Sequence, residues 1–243
     1  MRYKINLPLS LTIILVLAGM IKAAGQPVAD PAQCAQELNR LMMQFSDMPH
    51  VSFQVQQVTT YKNATNRTVF YQYKMSGEKS CIEGSDSTRI IQNEQCSFTI
   101  DHSRHQAVVG VPVEVFNYVT RVKILDPAFN TSYVAGMALS DTAGYRKLSY
   151  RFKPNSMYRS YDIIYDKTTR RIQTIQYSVN LNGTRISASG AGMYDVTMTF
   201  SNYQTGQFND SAFSTDGYVI RKQGICSMVA PYTSYTIKNL LNQ

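Results

Sequence analysis

Apolar and polar residues alternate along most of the chain. The pattern is clearest over residues 194–200, where Tyr194, Val196, Met198 and Phe200 share one face and polar residues lie between them. A period of two is typical of a β-strand with one buried face and one face in water. The same alternation recurs over residues 51–55, 69–75, 148–152, 161–165 and 175–181. We therefore predict a mainly β fold of the α+β kind, in which the apolar faces line one curved antiparallel sheet.

Turn signals separate these strands. Residues 77–79 are a predicted turn, and Asn182-Gly183 is the strongest hairpin signal in the chain. Residues 87–92, 96–100 and 105–109 are predicted as three short strands with turns between them. Successive short strands joined by turns favour an antiparallel meander.

A helix is predicted ahead of the first strand. Asp30 is a good N-cap and Pro31 a good first helical residue. The apolar residues that follow have helical spacing, so one side of this helix should pack on the sheet. They are Cys34, Leu38, Leu41, Met42 and Phe45.

Three later stretches break the alternation. Residues 112–125 have helical spacing and predict a second helix, although their β-branched content also suits a strand. Asp126-Pro127 is expected to end that run. Residues 130–144 are predicted as a long loop or hinge, and residues 237–241 as a last helical turn in a polar tail.

The first 25 residues have the features of a secretory signal peptide. A basic start is followed by an apolar run over residues 7–18 and by Ala23-Ala24-Gly25, which suits a cleavage site. The alternative, a membrane anchor, needs about 20 apolar residues, which is longer than this run. We expect residues 26–243 to form a single domain with a short C-terminal tail, in a periplasmic or secreted protein that is a monomer.

Charge and cysteine content limit the possible partners. The signal carries three of the 24 basic residues and none of the 16 acidic ones, which leaves 21 − 16 = +5, and no Lys/Arg block is present. We therefore expect no nucleic-acid partner. Four cysteines in an exported chain suggest two disulfides, for which three pairings are possible. Their positions favour a Cys81–Cys96 bridge between neighbouring strands and a Cys34–Cys226 bridge between the two ends of the chain.

Residues typical of catalysis are scarce. His102 and His105 flank a turn without a third zinc ligand. No Gly-rich loop follows a strand to cradle a phosphate. No pair of acidic residues stands out as a hydrolase site. We therefore expect no cofactor and no enzymatic activity.

The order of elements resembles the periplasmic outer-membrane lipoprotein carrier family, of the LolA/LolB kind. Two segments carry the resemblance: residues 89–93 leading to residues 98–101, and residues 200–202 leading to Phe213. Tyr73-Lys74-Met75 stands in the region where the family's carriers have an arginine, commonly followed by proline. The resemblance implies an incomplete barrel that a few helices cover, and acyl chains bound inside it.

The resemblance and the apolar faces together give a functional hypothesis. We expect a non-enzymatic carrier, or chaperone, of lipoprotein acyl chains or lipid-like ligands, with an envelope protein as donor or acceptor. The alternative is a structural or protein-interaction module whose sheet has a filled core and no lipid ligand. The predicted apolar lining is Phe53, Val55, Tyr71, Tyr73, Met75 and Ile163, together with Tyr177, Val196 and Met198.

Overall fold

The computed structural model describes residues 30–48, 50–62, 64–122, 124, 126–180, 192–222 and 225–241. The predicted signal peptide and the Asn182-Gly183 hairpin lie outside the described residues. Three helices are present in the described part of the chain: α1 (Pro31–Asp47), α2 (Val115–Thr120) and α3 (Pro127–Tyr133). A short 3-10 helix covers Asp210–Phe213. The strands are β1 (Val51–Tyr61), β2 (Arg67–Ser76), β3 (Lys79–Gly84), β4 (Thr88–Gln92), β5 (Ser97–Asp101), β6 (Gln106–Gly110), β7 (Val134–Thr142), β8 (Tyr145–Phe152), β9 (Tyr158–Asp166), β10 (Ile172–Asn180), β11 (Met193–Thr205), β12 (Val219–Lys222), β13 (Ile225–Met228) and β14 (Thr236–Asn239).

Twelve of these strands form one sheet in the order β14-β6-β5-β4-β3-β2-β1-β11-β10-β9-β8-β7. The pairs within it are antiparallel, except that β14 pairs with β6 in parallel. Strands make up 53% of the structure, and the large curved sheet is not closed into a barrel. The predicted fold class is confirmed, including the helices that accompany the sheet.

Strand β11, which contains the clearest alternation in the sequence, lies at the centre of the sheet. It pairs with β1 on one side and with β10 on the other. Val55 of β1 lies opposite Phe200 of β11 and opposite Tyr71 of β2. Because the side-chain period of a strand is two, this register puts the apolar residues of all three strands on one face.

Strands β3 and β4 carry buried side chains on both faces of the sheet. We call the face under α1 and α2 the inner face; its cluster of buried residues includes Phe53, Tyr73, Ile82 and Ile90. The opposite, outer face of β3–β6 carries a second cluster that includes Cys81, Ile91 and Phe98. The C-terminal segment covers this second cluster through Phe213, Val219 and Cys226. Two adjacent residues of one strand, Cys81 and Ile82, therefore belong to different cores.

Four predictions of secondary structure were wrong. Strand β3 was missed, because Lys79 begins the strand rather than ending a turn. The second helix covers only Val115–Thr120, and Asp126-Pro127 starts α3 instead of ending a helix. The predicted loop over residues 130–144 is the end of α3 and edge strand β7, whose side chains are mostly exposed or half-buried. Residues 237–241 form no helical turn, because β14 adds to the sheet beside β6.

Neither predicted disulfide is present; the four cysteines are free and buried. Cys34 lies in the inner cluster and Cys226 in the outer one, so the sheet separates them. Cys81 is in β3, and Cys96 directly precedes β5, with β4 between the two strands. Strands two positions apart are roughly 9.5 Å apart, which exceeds the ~7 Å that a disulfide allows between Cα atoms.

Candidate functional site

The predicted lining residues lie together on the inner face. Phe53, Val55, Tyr73, Met75 and Ile163 are each at most 1% exposed and belong to the inner cluster. Tyr71 and Tyr177 are partly buried and pack against that cluster, which also contains Val196 and Met198. Phe53 and Tyr73 are cross-strand partners whose rings stack at 4.8 Å. The sequence pattern therefore placed these residues on one face, and the structure covers that face with helices.

Helix α1 supplies one part of the cover. Asp30 caps it by accepting a 3.0 Å hydrogen bond from the backbone N–H of Ala32, as the sequence predicted. The apolar side of α1 packs on the inner face, and the ring of Phe45 lies 5.9 Å from that of Phe53 and 5.6 Å from that of Phe116. Phe45 thus joins α1, the sheet and α2 in one contact.

A buried carboxylate on α1 attaches this helix to neighbouring strands. Glu37 is 4% exposed and accepts hydrogen bonds from Tyr165, Arg170 and Arg40, while Arg146 lies 3.3 Å away. Burial by itself raises the pKa of Glu37, but these hydrogen bonds outweigh it and hold the pKa below its usual range. The arrangement ties α1 to β8, β9 and the turn after β9.

Gln92 attaches the start of the α2 segment. This side chain is fully buried. Its amide nitrogen donates to the carbonyls of Val113 and Glu78 at 2.7 and 2.9 Å. Its oxygen accepts from the Val113 N–H at 2.9 Å and from the Tyr118 hydroxyl at 3.0 Å. The Gln92 side chain therefore pairs the backbone N–H and carbonyl of Val113 where the chain leaves the sheet toward α2.

Two tyrosines of the inner face hold the end of α2. The Tyr161 hydroxyl donates a 2.6 Å hydrogen bond to the carbonyl of Thr120. The Tyr73 hydroxyl donates to the carbonyl of Tyr118 at 3.3 Å and accepts a 2.9 Å hydrogen bond from Nη2 of Arg121. The last carbonyls of a short helix lack partners within the helix, and the sheet supplies them here.

Arg121 is a residue of the site that the sequence pattern does not predict. It ends α2 in the left-handed conformation, at φ +61°, which is uncommon for a residue with a side chain. Its guanidinium lies 5.2 Å from the ring centroid of Tyr71. Lys74, the position that the family resemblance suggested for a cation, alternates with the inner-face residues Tyr73 and Met75 and lies opposite Cys81 of the outer cluster. A basic residue at the end of a short helical run gave no usable signal in the sequence.

Among the residues that the structure describes, no group of three or more His, Cys, Asp or Glu could hold a metal ion. His102 contacts the Tyr235 hydroxyl at 3.1 Å, and His105 stacks on the same ring. No helix in the described ranges is long and apolar enough to cross a bilayer.

No family model matches the chain, and no curated protein sequence matches it. Solved structures do resemble it. They include a LolA superfamily protein from Nitrosomonas europaea, with 11% identity over 73% of this chain and 97% of that chain and a TM-score of 0.36. A domain described as an outer membrane lipoprotein-sorting protein, from Vibrio parahaemolyticus, is 9% identical over 77% of this chain and 98% of that chain, with a TM-score of 0.38. A third is MucB in complex with MucA(peri), 14% identical over 81% of this chain and 62% of that chain, with a TM-score of 0.36. These likenesses concern the fold alone, and they include the superfamily that the sequence resembles.

Proposed function

We propose that this protein is a non-enzymatic carrier of acyl chains in the cell envelope, and that it binds them between the inner face and its helical cover. The ligand is a lipoprotein or a lipid-like molecule, received from one envelope protein and passed to another. One observation carries the proposal: the larger of the two described apolar clusters lies between one face of a curved sheet and the helices α1 and α2 that pack on it. Displacing α1 and α2 exposes a continuous apolar face.

The energetics suit this role without a catalytic group. Burial of acyl chains contributes about 0.8 kcal/mol per CH₂. The start of α2 is held through Gln92, and its end through the Tyr73 and Tyr161 hydroxyls. Each such hydrogen bond contributes only about 0.5–1.5 kcal/mol net, so a ligand with two acyl chains can offset the loss of these contacts to α2.

A second candidate is a protein-interaction module with a filled core. The complete burial of Phe53, Tyr73 and Met75 favours it, because a filled inner face needs no ligand. The two proposals differ in one measurable respect. The carrier takes up acyl ligands beneath α1 and α2, whereas the module keeps its inner face closed and uses its exterior.

Hydrogen exchange with a diacylated lipopeptide tests the carrier. We expect the lipopeptide to change the protection of amides in α1 and α2, while amides near Phe213 and Val219 of the outer cluster stay unchanged. Gln92→Met should speed uptake of the lipopeptide, because it releases the start of α2. Arg221→Met is the matched control, since Arg221 contacts Gln95 on the outer side. If the folded protein binds neither the lipopeptide nor a fatty-acyl probe, the carrier proposal is wrong and the interaction module is favoured.

A further inference from the structure

Arg121 has an unusual environment for a cation. One nitrogen of its guanidinium donates to the Tyr73 hydroxyl at 2.9 Å, and the group lies over the ring of Tyr71. Its Nε is buried and has no hydrogen-bond partner among the described residues. An unpaired buried donor is unfavourable, and the native contacts leave this part of the side chain unsatisfied.

In the described part of the chain, no carboxylate compensates the charge of Arg121. Among the described residues, no acidic oxygen lies within 4 Å of its guanidinium, whereas other arginines such as Arg89, Arg146 and Arg170 each have such a partner. Burial by itself lowers the pKa of Arg121, but the hydroxyls of Tyr73, Tyr71 and Tyr177 raise it, and the net shift is upward. The guanidinium is therefore charged at neutral pH.

The tyrosines around Arg121 come from separate parts of the sheet. Tyr71 and Tyr73 belong to β2 and Tyr177 to β10, and β1 and β11 lie between these strands. Arg121 thus extends from the cover toward the part of the inner face that lies between β2 and β10. The hydrogen bond to Tyr73 is enough to attach the end of α2 to the sheet. That attachment gives no role to the buried Nε.

We propose that the guanidinium of Arg121 binds the oxyanion of an acyl ligand whose chain lies along the inner face. The inference rests on the proposed function, and it adds that the preferred ligand is an anionic amphiphile. Nε and one Nη of arginine form a fork that matches the two oxygens of a carboxylate or phosphate. The Tyr73 hydroxyl accepts from the same guanidinium and donates to the carbonyl of Tyr118, and it can donate to the bound oxyanion instead once α2 moves away.

Matched ligands test the charge preference. Palmitic acid is compared with cetyl alcohol, which has the same chain and a neutral head, by displacement of a fluorescent acyl probe from delipidated protein at pH 8. We expect wild type to prefer the acid by on the order of ten- to hundredfold. Arg121→Met should abolish this preference and change alcohol binding by less than about threefold. Arg89→Met is the control, because its guanidinium also lies over a tyrosine ring, that of Tyr218 in the outer cluster, and it should keep the preference.

A second arm identifies the source of the oxyanion and guards against misfolded variants. Phosphatidic acid is compared with diacylglycerol; a preference for phosphate only, or carboxylate only, assigns the natural head group. If Arg121→Met fails to fold, wild type decides alone: its preference for palmitic acid must disappear as the ligand's carboxylate is protonated below about pH 4.5. Equal binding of acid and alcohol overturns the anion site and leaves the carrier intact. Failure to bind any of these lipids overturns both.

Discussion

The hydroxyl of Tyr165 donates a 2.8 Å hydrogen bond to the carboxylate of Glu37, and it joins helix α1 to strand β9 across 128 residues of sequence. The same carboxylate receives the guanidinium groups of Arg40 and Arg170. A charge that is 4% exposed is tolerated only because donors surround it. The contact therefore determines where α1 lies on the inner face.

Replacement of Glu37 should destabilise the protein. Glu37→Gln keeps the size of the side chain but removes the charge that Tyr165, Arg40 and Arg170 contact. Hydrogen bonds to buried charged groups contribute about 1.5–3 kcal/mol, so we expect the free energy of unfolding to fall by roughly that amount in urea titration at pH 7. Glu83→Gln removes an exposed partner of Arg89 and should cost less than about 1 kcal/mol. Equal losses in both variants contradict the role of Glu37.

The Glu37 contribution should also depend on pH. Because the pKa of Glu37 is lower in the folded state than in the unfolded one, its stabilisation is present above the unfolded pKa, near 4.3. It is lost as the pH falls through the folded pKa. We expect the difference in stability between wild type and Glu37→Gln to be constant from pH 7 to about pH 5 and to shrink below about pH 4.3. If the stability difference between wild type and Glu37→Gln grows as the pH falls, the lowered pKa of Glu37 is contradicted.

Asp141 offers a direct titration. The hydrogen bonds from Arg146, at 2.7 and 3.1 Å, lower the pKa of Asp141 to about 2. Its carboxylate is 48% exposed, so Asp141→Asn should change stability by less than about 1 kcal/mol. NMR titration of the carboxyl carbon should give a midpoint near 2 in wild type. The midpoint should be closer to 4 in Arg146→Met. An unchanged midpoint in Arg146→Met rules out this arginine as the cause.

The sequence predicted the long strands well, because their alternation reflects burial on one face. Residues 194–200 lie in a central strand that has both neighbours in place, so local pattern and tertiary structure agree. Strand β3 escaped detection because it is buried on both faces: Cys81 faces the outer cluster and Ile82 the inner one. Where a strand lies between two cores, adjacent residues are both buried, and the period of two disappears.

The predicted helix boundaries were wrong for a different reason. Asp30-Pro31 and Asp126-Pro127 carry the same signal, an N-cap followed by proline, and the structure uses both as helix starts. The second pair follows a run with helical spacing, and that context predicts a helix stop where the structure has a helix start. Edge strand β7 contains small residues such as Gly136 and is largely outside the core, so hydrophobic periodicity could not identify it.

The site was only partly predictable. Apolar lining residues such as Phe53 and Tyr73 follow from strand alternation. The polar contacts that hold the cover do not, because Gln92, Tyr161 and Arg121 come from distant segments that meet only through the sheet order. Missing β3 also misplaced Cys81 relative to Cys96. Both errors concern how strands are ordered in space rather than which residues are buried.

Gln92 should control local opening of the cover. Gln92→Met removes four hydrogen bonds and leaves the Val113 backbone groups without partners. We expect amides of α2 to exchange at least tenfold faster, which corresponds to about 1.4 kcal/mol, while amides of β9 and β10 stay protected. Gln176→Met replaces an exposed glutamine of β10 and should leave α2 exchange unchanged. Uniform acceleration across the protein indicates global destabilisation instead of a separately opening cover.

The thiols should be inert in the folded protein. Burial raises the pKa of Cys34, Cys81 and Cys226, and a thiol reacts as its thiolate. At pH 8 we expect slow labelling of the native protein, limited by opening of the structure, and rapid labelling of all four cysteines in denaturant without reductant.

Peptide mapping after mild oxidation provides the stricter test of the two cores. Because the sheet separates Cys34 from Cys226, and β4 separates Cys81 from Cys96, neither bridge should form in protein that stays folded. The same oxidation in denaturant should scramble the pairings, since the unfolded chain no longer holds Cys34 away from Cys226 or Cys81 away from Cys96. A Cys34–Cys226 peptide recovered from native protein contradicts the placement of the two clusters on opposite faces of the sheet.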